Sequence, residues 1–381
     1  MARRRPAAIH GVLAIDKPAG MTSRAVVNAV ARGLGERRVG HCGTLDPMAT
    51  GVLVIGVGEA TSAMQWLMVA PKAYQAELQF GAETDTDDAD GTPTQLAPTP
   101  VLTAESLAAA LPVGPITLQQ VPPAVSALQR DGVRDYERAR RGELIVRPPR
   151  PVFLRSAEVL AVDAAAGTAT VRVEVGAGFY VRALARDLGR SLGSAAHLKA
   201  LRRVQGSGSD VDACWPLATW QALSDEAKQA TLQPLATALA PVLAICEVEP
   251  QVARALRRGQ RPEVAAWPVL LDGPTPALAV LADGEAVAVV EAEVLPTGGV
   301  RLRTLRGFGV GAQAAPADKD RERTDDTEAA PDDGALEDGG SALAEVGAAP
   351  TGTGDPCVAM CDAPAVDDAF AGAAHVPAVS P

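Results

Sequence analysis

Apolar and polar residues alternate along 73–80 (AYQAELQF) and 168–175 (TATVRVEV), the two-residue period of strands with one buried face. Continuously apolar runs at 12–15 (VLAI) and 52–57 (VLVIGV) also predict strands. Between them the period changes. Thr22 or Ser23 can cap a helix that presents Val26, Val27 and Val30 on one face and stops around Gly33 and Gly35. Two more helices are expected at about 60–70 and 103–111. A fourth, beginning near Tyr180, carries Val181, Leu184, Leu188 and Leu192 on one face, while Arg182, Arg186 and Arg190 recur every four residues on another.

Residues 245–312 change character. Short runs at 269–271 (VLL), 277–282 (ALAVLA) and 286–295 (AVAVVEAEVL) are separated by Asp272-Gly273 and Asp283-Gly284, the signals of turns in a small all-β module. From about 313 the sequence becomes Ala, Asp, Gly and Pro with Phe370 as its one aromatic residue, too little apolar surface to offset the entropy of ordering. The pattern therefore predicts an α+β body at 1–244, a β-module at 245–312 and a disordered acidic tail at 313–381, with no internal repeat.

Composition changes this picture at one point. The formal charge of −11 argues against a polyanionic partner only if it is spread evenly. Residues 313–381 hold 15 acidic against 3 basic residues, which leaves +1 for residues 1–312. A neutral body can carry local basic stripes, so nucleic acid stays open as a partner. The segment 129–150 (QRDGVRDYERARRGELIVRPPR) has seven Arg against four acids, within an excursion of about 121–150 bounded by prolines. Two readings of it stay open on composition: a phosphate-contacting arm, or a solvated helix face.

Five dispersed cysteines (Cys42, Cys214, Cys246, Cys357, Cys361) in a chain too large to need staples read as reduced thiols, and Cys357 with Cys361 lacks the companions of a zinc site. The opening MARRRPAAIHGVLAIDK is interrupted by His10 and Asp16 before a signal core develops, and no apolar run has the length of a membrane span. A cytoplasmic protein that keeps off membranes is expected.

Residues 43–51, GTLDPMATG, are the best candidate for chemistry. Gly43 and Gly51 allow close backbone approach, and Pro47 fixes its own φ while biasing Asp46 away from helix. By spacing alone an Asp-Pro pair reads as a rigid turn. The company it keeps decides otherwise. GVLAIDKPAGMTS, RVGHCGTLDPMATGVL, TDTDDADG and GFYVRALARDLG follow one another in order, and over about residues 9–225 the chain resembles the bacterial TruB-type tRNA pseudouridine synthases, which isomerise the T-loop uridine at position 55. More loosely, the segment ending in RLRTLRGFG (301–309) is similar to the family's PUA-like RNA-binding domain.

That resemblance implies a pseudouridine-synthase fold, with a large mixed, mainly antiparallel sheet flanked by helices. Asp46 is the implied nucleophile. Such an isomerisation involves no redox change and no group donor, so no cofactor and no metal is expected. The carboxylate has to stay ionised where water is excluded, which a guanidinium favours, and Arg182 is the implied partner. Tyr74 is implied to stack on the uracil and is a candidate base, although its phase with Ala76, Leu78 and Phe80 equally suits a core residue.

Tyr180 and Leu201 match residues of the uridine pocket, and Asp88 a residue near it. His41 matches the histidine that contacts the RNA loop beside the flipped base. Lys17 and Pro18 are implied to support the catalytic loop from behind. Arg186 and Arg190 read as an ordinary solvated stripe. The acidic run Asp85, Asp87, Asp88 and Asp90 lacks the closing Glu of a calcium loop. One departure is AVSALQ, where Val125 and Gln129 stand in place of the family's usual aromatic residue and lysine; it touches the arm and leaves the chemistry alone.

The expected partner is the T-arm of tRNA, bound with no obligatory protein partner. A guide-RNA-dependent pseudouridine synthase and a non-catalytic tRNA-folding chaperone are the alternatives, separated by whether the protein alone turns over an unmodified tRNA.

Overall fold

The computed structural model describes residues 9–126, 129–130, 133–134, 147–267, 276–296 and 298–309. The strand expected at 269–271, most of the Arg-rich segment and the acidic tail lie outside them.

The strands are Gly11–Lys17 (β1), Val39–Cys42 (β2), Thr50–Val57 (β3), Lys72–Phe80 (β4), Ala82–Thr84 (β5), Pro93–Leu96 (β6), Ile116–Gln120 (β7), Gln129–Arg130 (β8) and Val133–Arg134 (β9). There follow Arg150–Asp163 (β10), Thr168–Val175 (β11), Ala196–Gly206 (β12), Ser209–Asp210 (β13), Trp215–Pro216 (β14), Ala244–Glu247 (β15), Glu263–Val264 (β16), Ala277–Val280 (β17), Ala286–Val294 (β18) and Val300–Gly307 (β19). Four helices matter most here: Ser23–Leu34 (α1), Met64–Met68 (α2), Ala104–Ala110 (α3) and Val181–Ser191 (α4).

A ten-stranded sheet runs in the order β14-β1-β3-β12-β4-β11-β10-β7, with β2 added to β3 and β13 to β12. The β1/β14 and β3/β12 pairs are parallel and the rest antiparallel, which is the mixed, mainly antiparallel sheet expected. Alternation in 73–80 and 168–175 has a direct cause: β4 and β11 are neighbours over their whole length, and their small and apolar residues fill the same side. On that side Leu45, Tyr74, Leu78, Val173, Leu184, Leu188, Leu198 and Leu201 make one core with α4. A second core joins Ile15, Leu53 and Ile55 of the sheet to Val26 and Val30 of α1 and to Trp220.

Thr22 caps α1, its hydroxyl accepting from the Ala25 N–H at 3.0 Å, and Gly35 ends it in the left-handed conformation. The helix expected at 60–70 is divided: a 3₁₀ segment, Gly58–Ala63, precedes the short α2. The helix expected at 103–111 is α3, closed by a capping box between Thr103 and Ser106.

A five-stranded sheet in the order β15-β17-β18-β19-β16 forms the C-terminal part. Leu278, Val280 and Val289 from this sheet, with Phe308 just beyond its last strand, share one apolar cluster with Val12, Val52, Val54 and Leu67, so the two sheets are held by a common core. Among the described residues no helix is long and apolar enough to cross a membrane.

Candidate active site

Residues 43–49 leave β2 and return as β3 along the cavity mouth. Three anchors fix this loop. Ser23, buried at the start of α1, donates its hydroxyl to the Leu45 carbonyl at 3.1 Å and accepts the Leu45 N–H at 2.9 Å. Lys17, fully buried at the end of β1, donates to the carbonyls of Pro18 (2.9 Å), Pro47 (3.1 Å) and Ala49 (2.6 Å). Burial pushes the Lys17 ammonium down to about 8 against the pull of Asp46, and Arg203 adds to the lowering. Third, the strand after the loop lies so close to β12 that a Cβ on Gly51, at φ +102°, would stand 2.1 Å from the Arg203 carbonyl. Only glycine fits there.

The loop holds the Asp46 carboxylate against Arg182, the second residue of α4. Arg182 Nε lies 2.9 Å from Asp46 Oδ2 and its Nη2 donates to Oδ1 at 3.1 Å, a two-pronged pair. The guanidinium is buried, while about a third of the Asp46 side chain (32 %) is exposed. The remaining prong, Nη1, donates to the Thr86 carbonyl at 2.8 Å and lies 3.4 Å from Asp88 Oδ2. Asp88 is held in turn by the Thr86 hydroxyl at 2.6 Å and the Asp90 N–H at 3.1 Å. Burial raises the Asp88 carboxyl above the usual carboxylate range against the Thr86 hydrogen bond and Arg182, and Asp46 adds to the rise.

Asp46 and Arg182 line a cavity of about 240 Å³ together with Tyr74, Tyr180 and Leu201. That is below the roughly 300–1,000 Å³ typical of pockets for drug-sized ligands, room for one nucleoside and not for a helix. Tyr74 and Leu201 are both buried, on the adjacent strands β4 and β12. Packing in the core and lining the cavity are thus one role for Tyr74, since the core's edge is the cavity wall. Tyr180 is pinned by the buried Gln120 at the end of β7, whose side-chain amide donates to the Tyr180 carbonyl (3.2 Å) and accepts its N–H (3.0 Å). The Arg150 guanidinium covers the Tyr180 ring at 4.9 Å from its centroid.

The structure brings Asp46, Tyr74, Tyr180, Arg182 and Leu201 to one cavity, with Asp88 behind Arg182 and Lys17 beneath the loop. Pro18 takes part through its carbonyl alone, its ring being exposed. His41 lies on β2 opposite Ile55 of β3, partly exposed and outside the cavity lining.

The solvated arginine stripe is corrected for Arg186, while Arg190 is indeed exposed, at 56 % of its side chain, though it too is paired. Arg186 is 7 % exposed and pairs with the buried Asp87 at 2.8 Å, while Arg190 grips Glu83 through Nε (2.7 Å) and Nη2 (2.6 Å). With Arg182 they form a ladder that ties α4 to the acidic turn 83–90. Burial raises the Asp87 carboxyl even against Arg186 and Arg182. Asp87 and Asp88 of the acidic run, with Glu83 just before it, are therefore the countercharge of the helix.

The sequence shows Ser23 only as a possible cap, Asp87 only as part of an acidic run and Arg150 only as the end of an Arg-rich segment, and it gives no sign of Gln120. For Ser23 we expect the Ala variant to lose about 1–3 kcal/mol of stability, because the buried Leu45 N–H is left without an acceptor, and to turn over more slowly as Asp46 loosens. Urea denaturation beside a steady-state assay checks both, and an unchanged unfolding midpoint would remove Ser23 from this role.

Residues 31–181 match the TruB family pseudouridylate synthase N-terminal domain. The tRNA pseudouridine synthase B of Aromatoleum aromaticum is 44% identical over 227 residues, 60% of this chain and 73% of that protein. That of Leifsonia xyli is 38% identical over 305 residues, 78% of this chain and 96% of the relative. Among solved structures, an H/ACA RNP bound to a substrate RNA containing 2'-deoxyuridine shares the fold, with a TM-score of 0.60 at 20% identity over 79% of this chain and 85% of that one. On this match, and on the relatives that cover most of its length, the chain belongs to the TruB family of pseudouridine synthases.

Proposed function

We propose that this protein is a stand-alone tRNA pseudouridine synthase that isomerises the T-loop uridine at position 55. The observation that carries the reading is a carboxylate, Asp46, held by a buried guanidinium at the mouth of a cavity walled by two tyrosines and a leucine. Isomerisation breaks the C1′–N1 bond, turns the uracil and forms a C1′–C5 bond, while C5 loses its proton and N1 gains one. It needs a nucleophile and a surface that keeps the detached base from leaving, and no electron or group donor.

The target base sits in a folded arm, so it is flipped out at a cost of a few kcal/mol. Asp46 is then the nucleophile, with Arg182 holding and aiming its carboxylate. Tyr74 stacks on the uracil and is the candidate base. Tyr180 and Leu201 complete the pocket, Asp88 holds Arg182, and Lys17 with the Pro18 carbonyl supports the loop. His41, outside the cavity, fits a contact with the RNA loop left behind.

We assign residues 1–244 to catalysis, the excursion at about 121–150 to RNA contact, and 245–312 to an accessory RNA-binding module. The site of action is the cytoplasm, and no cofactor, metal or obligatory protein partner is invoked. Relatives at 38–44% identity named as tRNA pseudouridine synthase B support tRNA over a guided RNA substrate.

Mapping pseudouridine along an unmodified tRNA transcript after incubation with the protein alone tests this reading. We expect one modified position, 55. Modification elsewhere would remove the T-arm assignment, and none at all would return the protein to the chaperone class.

A further inference from the structure

The same cavity wall holds two more cations, Lys72 and Arg203, which the isomerisation as described does not use. They are 8 % and 2 % exposed. Side chains of this kind are rarely buried without a countercharge. Arg203, on β12, directs Nε to the Val52 carbonyl (2.6 Å) and Nη2 to the Gly43 carbonyl (3.1 Å). Its Nη1 meets no acceptor among the described residues. Lys72, at the start of β4, donates to the carbonyls of Met68 (2.7 Å) and Ala70 (2.9 Å), which leaves one of its three N–H groups unused.

Arg203 Nη1 and the end of the Lys72 stem border one spot, with the Lys72 ammonium more than 4 Å from it. Gly43 lines the cavity at φ +80°, and a Cβ there would stand 3.4 Å from Arg203 Nη1 and 3.5 Å from Lys72 Cε. Neither cation has a carboxylate partner among the described residues. Burial pushes the Lys72 ammonium down to about 8, with the Arg203 charge adding to the fall. The neighbour acting the other way is Cys42, whose own thiol burial pushes up to about 12, so it supplies no negative charge at neutral pH. Asp46 is engaged elsewhere, by Arg182.

We propose that Lys72 and Arg203 form an anion subsite of the cavity that takes a phosphodiester oxygen adjoining the flipped uridine. The inference rests on the isomerase reading. A nucleotide that swings into the cavity brings its flanking phosphates with it, and a phosphate oxygen can accept from an ammonium and a guanidinium together. The base meets Tyr74 and the sugar meets Asp46, so the phosphate is the part of the nucleotide still without a partner. Gripping it fixes the nucleotide's register before chemistry begins.

The test uses unmodified T-arm hairpins with a single neutral methylphosphonate linkage on the 5′ or the 3′ side of the target uridine. For the wild type we expect one of the two linkages to weaken binding by about tenfold, the effect of one charge-assisted hydrogen bond. Lys72→Met should weaken binding of the all-phosphate hairpin by about the same factor, and the neutral linkage should then add less than about twofold. Lys72→Arg should keep most of the affinity. Lys72→Gln serves the same comparison where the Met variant does not fold.

Equal binding of all three hairpins by the wild type, or losses from variant and linkage that multiply in full, would overturn the subsite. Tritium release from the all-phosphate hairpin, measured alongside, reports on the isomerase reading separately. Its absence would sink that reading whatever the linkages show.

Discussion

Asp46→Asn is expected to lower turnover of an unmodified tRNA by at least about 10⁴-fold, the scale seen when a covalent nucleophile is removed, while tRNA binding stays within about threefold of wild type. The split follows from the geometry. The Asn side chain has nearly the same shape and can accept from Arg182 Nη2 or Nε, so the Ser23 and Lys17 anchors of the loop and the cavity walls stay in place. What it lacks is a charged oxygen able to form and release a bond to carbon. A loss that appeared in affinity instead of turnover would make Asp46 a binding residue.

Arg182→Met removes the cation shared by Asp46 and Asp88 and should cost both activity and stability. Its three nitrogens contact Asp46, Asp88 and the Thr86 carbonyl from a side chain that is 6% exposed. Breaking a buried pair by deleting one partner typically costs about 3–5 kcal/mol, because a buried charge is left uncompensated. Turnover should fall by roughly 10²–10³-fold, as when one aligned electrostatic donor is removed.

The stability loss has a defined pH dependence. Burial already raises the Asp88 carboxyl, so between its ordinary value of 3.8 and its raised folded value the native state binds more protons than the unfolded chain, and stability falls as pH rises through that window. Without Arg182 that fall is larger, so the gap between variant and wild type should widen from acid toward neutral pH. Urea titrations at several pH values check it; a gap independent of pH would mean that the lost stability is packing alone. Arg182→Lys keeps the charge and loses the fork, and we expect it to fall between the two.

Much of the frame was legible because it is written locally. Two-residue alternation at 73–80 and 168–175 marks β4 and β11, which each bury one side chain in two. Thr22, Gly35 and the apolar stripe at Val26, Val27 and Val30 delimit α1 without reference to the rest of the chain. The site residues near the cavity were legible only in combination, since an Asp-Pro turn, a strand tyrosine and a helix arginine are each ordinary alone.

What stayed hidden lies between segments distant in sequence. Arg186 and Asp87 are 99 residues apart, Arg190 and Glu83 107, and spacing along one helix cannot show that its charged face meets carboxylates. The contact exists because the turn at 84–92 docks on β12, with Leu198 donating to the Asp87 carbonyl and accepting from the Ala89 N–H. Arg182 and Arg186 on that face are thereby sealed, while Arg190 grips Glu83 from the exposed end. Ser23 was hidden for a related reason: next to a capping Thr22 it reads as part of the cap, whereas its hydroxyl reaches across to Leu45. At 60–70 the apolar content was legible, but the change from 3₁₀ to α at Met64 was not.

The most direct test of the central claim is tritium release from a tRNA transcript labelled at C5 of uridine 55 alone, with this protein as the sole addition. Wild-type protein is expected to release the label over many turnovers, and Asp46→Asn, at the same bound fraction of tRNA, to release none above background. No release by wild-type protein that binds the tRNA, or undiminished release by Asp46→Asn, would contradict the assignment of Asp46 as the nucleophile of a stand-alone isomerase.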